Sequence, residues 1–75
     1  MPLPSKGAEL IDVASTTVTY IGKAKWKNAS QAGTVWQIQK INYTAGGDPS
    51  SIQWADGDEL YNNVWNNRAT TVVYV

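Results

Sequence analysis

Thr16-Thr17-Val18-Thr19-Tyr20-Ile21-Gly22-Lys23-Ala24-Lys25-Trp26 is the stretch whose reading decides the fold. Its first half is almost entirely β-branched or aromatic, the residue types that suit a pleated, half-buried surface. Side chains alternate across a strand, so Val18, Tyr20, Gly22, Ala24 and Trp26 share one face, while Thr17, Thr19, Ile21, Lys23, Lys25 and Lys27 share the other. The face without lysines is predicted to turn inward.

Working outward, residues 8–14 carry Leu10, Ile11 and Val13, which suggest a short edge strand. Ahead of them Pro2 and Pro4 favour an extended arm over residues 1–7, with Leu3 as its apolar contact. Downstream, residues 28–33 are small and polar, as in a hairpin loop. Thr34 to Thr44 is the longest strand candidate, with Trp36 and Ile38 on one face and Val35, Ile41 and Tyr43 on the other. The apolar face thus switches near Gln39-Lys40, which predicts a bulge or a strand buried at its two ends by different partners. Ala45-Gly46-Gly47-Asp48-Pro49-Ser50 is a strong turn, and the run Ser51 to Ala55 alternates with Ile52 and Trp54 predicted inward.

Asp56-Gly57-Asp58-Glu59 reads as a second turn. Beyond it Leu60, Tyr61, Val64, Trp65 and Arg68 fall at helical intervals behind a possible Asp58 N-cap, although four Asn between Asn62 and Asn67 weaken a helix. One or two helical turns or an ordered loop, not a long helix, are expected near 58–67. Residues 69–75 form a final uncharged strand, an aggregation hazard with an open edge, so it is expected either at the sheet centre or under a neighbouring subunit. The pattern predicts one mainly β domain over 8–75: a small antiparallel β-sandwich or β-barrel with an N-terminal arm.

A chain of 75 residues buries only about 60% of the surface it exposes when unfolded. It has no Cys or His to supply disulfides or zinc, and no Phe. Its four Trp and four Tyr must supply much of the interior, and Tyr20, Trp26, Trp36, Trp54 and Trp65 are the expected aromatic core. Exposed in a row, the same tryptophans would instead make a sugar-stacking platform, so a carbohydrate-binding module is an alternative.

Six basic and six acidic residues cancel, which argues against binding nucleic acid or an anionic membrane. Lys23, Lys25 and Lys27 lie on the strand face opposite Tyr20 and Trp26, so rings and cations do not combine into a nucleic-acid groove. The Met1 to Gly7 start lacks a basic region followed by an apolar run, and no apolar run approaches a membrane span, so synthesis in the cytoplasm is expected. Without His or Cys the common nucleophilic pairs are excluded. Asp56, Asp58 and Glu59 read as a solvated turn, so neither enzymatic activity nor a cofactor or metal is expected.

The ordered series Tyr20-Ile21-Gly22-Lys23-Ala24, Val35-Trp36-Gln37-Ile38-Gln39-Lys40-Ile41, Trp54-Ala55-Asp56-Gly57, Asn63-Val64-Trp65-Asn66-Asn67-Arg68-Ala69 and Val73-Tyr74 resembles a family of small virion structural proteins of tailed phages. The resemblance covers residues 17–75 and implies a particle component. Zero net charge, the proline arm and the uncharged final strand suit a capsid decoration or cement protein, which would contact the major capsid protein or other virion proteins and form a homo-oligomer. A tail or baseplate accessory protein would share these features. Leu3, Val73, Tyr74 and Val75 are the expected partner contacts; Trp36 and Trp54 are expected to stack across their hairpin; Arg68 is expected to cap the Trp65 indole and to pair with Asp56 or Asp58.

Overall fold

The computed structural model describes residues 9–75. They form one antiparallel sheet in the order β1-β2-β3-β4, with β1 at Glu9–Val13, β2 at Val18–Ala24, β3 at Trp36–Tyr43 and β4 at Pro49–Trp54. The expected arm and its Leu3 contact lie outside the described residues. Each strand pairs antiparallel with its neighbour in sequence.

The turns follow their residue chemistry. Between β3 and β4, Gly47 takes a positive φ of 90° while the Thr44 N–H donates to the Asp48 carbonyl at 2.8 Å. After β4, Asp56 and Gly57 take φ of 58° and 73°, the paired left-handed geometry of a type I′ turn. The β3 ladder runs regularly through Gln39-Lys40, and the register shift falls at Asn42/Tyr43, where Ser50 is the extra residue on β4. The switch of apolar face along β3 is therefore not a bulge. Trp36 and Ile38 face one side of the sheet and Ile41 and Tyr43 the other.

One side is covered by the chain's own C-terminal segment. Asn63 exchanges backbone hydrogen bonds of 3.0 Å with Trp36, which ties residue 63 to the end of β3. Residues 58–64 are an irregular loop pinned by that bridge, and of the helical turns expected near 58–67 only a single 3₁₀ turn, Trp65–Asn67, is present. Asp58 accepts a hydrogen bond from the Leu60 N–H at 3.0 Å without starting a helix. Trp65 is carried over the sheet, its ring centroid 5.8 Å from that of Trp36. Tyr20, Ala24, Trp36, Ile38, Ala55 and Trp65 are the buried core, with Trp36 fully inaccessible.

The last residues do not form a central strand. Trp54 and Val75 exchange backbone hydrogen bonds of 3.3 and 3.2 Å, the Asp56 N–H donates to Val73 O at 2.7 Å, and Tyr74 bridges Ala55. They line the rim beyond β4, because the type I′ turn sends the chain away from the sheet and the C-terminus returns alongside it. The sheet does not close on itself, and no second sheet stands opposite it among the described residues. The expected sandwich or barrel is, in this chain, an open sheet with one face covered.

Candidate functional site: the uncovered sheet face

Strand register assigns every side chain to a face. Leu10, Asp12, Val18, Tyr20, Gly22, Ala24, Trp36, Ile38, Lys40, Ser51 and Gln53 lie on the covered side. The other side shows two cross-strand rows: Val13, Thr19, Ile41 and Ile52 in one, Ile11, Ile21, Gln39 and Trp54 in the next. None of these eight carries an ionisable group. A third row of Glu9, Lys23 and Gln37 forms a polar border, and Gln37 Nε2 donates to the Glu59 carbonyl at 2.8 Å.

The apolar rows are left in solvent. Ile11 is 71% exposed, Val13 72% and Ile52 57%, while Ile21, Ile41 and Trp54 are half-buried. Only the small Thr19, set between Val13 and Ile41, is buried. A monomer rarely leaves so continuous an apolar band exposed without a use for it. Such a face has no chemistry for catalysis; it can make non-directional apolar contact.

The expected aromatic core divides accordingly. Tyr20, Trp36 and Trp65 are buried together, and the Trp36 indole N–H donates to the Ser30 carbonyl at 2.9 Å. Trp54 lies opposite Gln39 on the uncovered face, so it cannot stack on Trp36, whose ring partner is Trp65. Strand alternation tells which residues share a face; it does not tell which face the rest of the chain will cover. Trp26 falls past the end of β2, where β3 no longer pairs with it, and is 55% exposed, outside the core.

Arg68 sits over the Trp65 ring at 4.4 Å. Its ion pair is with neither Asp56 nor Asp58. Arg68 Nε donates to Asp12 Oδ2 at 2.9 Å, because Asp12 on β1 reaches the covered side beside the C-terminal segment. Asp56 instead occupies the turn. Among the described residues no group of three acidic side chains converges in a way that could hold a metal.

Of the expected contacts, Val73 and Val75 are 62% and 72% exposed, whereas Tyr74 turns inward. The Tyr74 ring lies 5.7 Å from Tyr20, its hydroxyl donates to the Arg68 carbonyl at 2.9 Å, and Lys40 Nζ approaches its face at 5.7 Å. Burial, reinforced by Tyr20 and opposed by Arg68, pushes the Tyr74 phenol well above the ordinary tyrosine range. Residues missed from the sequence are Asp12, as the partner of Arg68, and Gly22, the seat of the Trp65 ring. A glycine inside an otherwise strong strand was the available signal for the second.

Comparison with family models, curated proteins and solved structures finds no match to this chain.

Proposed function

We propose that the chain is a non-enzymatic structural component of a tailed-phage particle, a capsid decoration protein that stabilises the shell through subunit contacts. The observation that carries this reading is the placement of apolar side chains. Ile11, Val13, Ile52, Val73 and Val75 are concentrated on surfaces that the described residues leave uncovered. Burying each large apolar side chain contributes roughly 1.5–3 kcal/mol, so these surfaces favour assembly. The resemblance of the motif series to small virion proteins gives the proposed assembly its setting, and zero net charge removes the long-range repulsion that would keep copies apart. The second layer of the β-sandwich is supplied on assembly.

The test is binding of the purified protein to expanded heads that lack it. Saturable binding is expected, weakened about tenfold or more when Val73 and Val75 are both replaced by Asp, since each change places a charge in an apolar contact. A protein that ignores heads and binds isolated tails would move the assignment to a tail or baseplate accessory. The exposed Trp26 supports a second reading, a glycan-binding module. Titration with chito-oligosaccharides, followed by tryptophan fluorescence, checks it: saturable binding lost in Trp26→Ala would favour sugar recognition over assembly.

A further inference from the structure

We infer that the uncovered face is closed by a second copy of this chain, two four-stranded sheets packing into an eight-stranded sandwich. The outer strands carry the first argument. β1 and β4 turn Ile11, Val13, Ile52 and Trp54 to the uncovered side, while Asp12, Ser51 and Gln53 face the covered side. In a chain that stayed monomeric this leaves Ile11, Val13 and Ile52 exposed and Trp54 half-buried on the uncovered side, while the polar Asp12 and Gln53 are half-buried on the covered one. The arrangement is reasonable for the inner layer of a sandwich, whose facing side chains interdigitate at about 10 Å sheet separation.

Charge and symmetry point to a copy as the occupant. A two-fold interface sets a surface against itself, so its centre must tolerate self-contact. An axis parallel to the strands, between β2 and β3, lays β1 over β4 and β2 over β3. Ile11 then meets Trp54, Val13 meets Ile52, Thr19 meets Ile41, and Ile21 meets Gln39. In the polar border Lys23 meets Gln37, while Glu9 falls at the rim over the turn at Asp56-Gly57, outside the apolar centre. A partner bearing a charged patch finds no complement among the eight central residues.

The area suffices. Four strands about 4.8 Å apart and five to six residues long give a face roughly 20 Å square, with accessible area on the order of 500–600 Å² per copy, which together clears the ~1,000 Å² expected of a specific interface. The domain is flat, 35 × 32 × 18 Å.

The experiment is the solution mass of the purified chain by light scattering across a concentration series, for wild type, Ile11→Lys and Ile52→Lys. Both isoleucines are largely exposed within one copy, so the substitutions spare the fold; the near-ultraviolet circular dichroism of the Trp36–Trp65 pair checks this. The expected result is a wild-type dimer and variants that keep the signal but dissociate roughly 100-fold more readily, each lysine being introduced twice into an apolar interface. A monomer at every concentration, another stoichiometry, or a dimer indifferent to both substitutions overturns the inference. The inference rests on the assembly reading only for its setting. A dimer that ignores phage particles keeps this interface and removes the virion role; a monomer that binds heads, and loses them on Ile52→Lys, assigns the face to the shell instead.

Discussion

Gly22 is where a single atom decides the core. Its missing Cβ leaves the space in which the Trp65 ring lies, and a methyl group there would overlap that ring and press on Trp36. Gly22→Ala is expected to destabilise the domain by about 1–3 kcal/mol, the cost of overpacking, measured as a lowered urea midpoint with little change in slope. Tyr74 links stability to alkaline pH. Its phenol is raised in the folded chain, so its contribution is fully present below the unfolded tyrosine pKa of about 10 and falls as pH rises above it. Replacing Tyr74 by Phe should flatten that part of the stability curve, checked by urea unfolding at several pH values between 8 and 11. The Arg68 cap on Trp65 was legible as two residues three apart, whereas Asp12 lies 56 positions from Arg68 and only the finished sheet brings them together.

Among elements, the strands were legible because β-branched and aromatic residues alternate within them, and the hairpin joining β3 to β4 because its glycines and Asp-Pro mark a turn. The face that Ile52 and Trp54 occupy was not, since period two is the same whichever side is covered. Of the helical turns and the ordered loop both expected near 58–67, the loop prevails through a backbone bridge between Asn63 and Trp36, a tertiary contact that local propensity cannot anticipate. The turn after β4 offers a clean measurement. Gly57 at φ 73° sits with its would-be Cβ 3.4 Å from Val75, so Gly57→Ala should cost about 1–2 kcal/mol from the left-handed backbone alone. Equilibrium urea unfolding checks the value, and a smaller effect would mean that the turn relaxes.

At the scale of the whole molecule, completion of the sheet by a second copy, as proposed above, would couple folding to concentration. The thermal midpoint of the wild type is expected to rise with protein concentration, while that of Ile52→Lys stays constant; scanning calorimetry over a hundredfold range distinguishes the two. The C-terminal return has a further consequence during synthesis. The meander of strands can zip together hairpin by hairpin as it leaves the ribosome, but Trp36 lacks its ring partner until Trp65 follows, and Tyr20 lacks its own until Tyr74. A nascent chain therefore presents two sticky faces, and at roughly 5–20 residues per second the interval between Pro49 and Tyr74 is on the order of seconds. That interval is when chaperone capture competes with closure, and crowded translation of the same message brings unfinished copies close together.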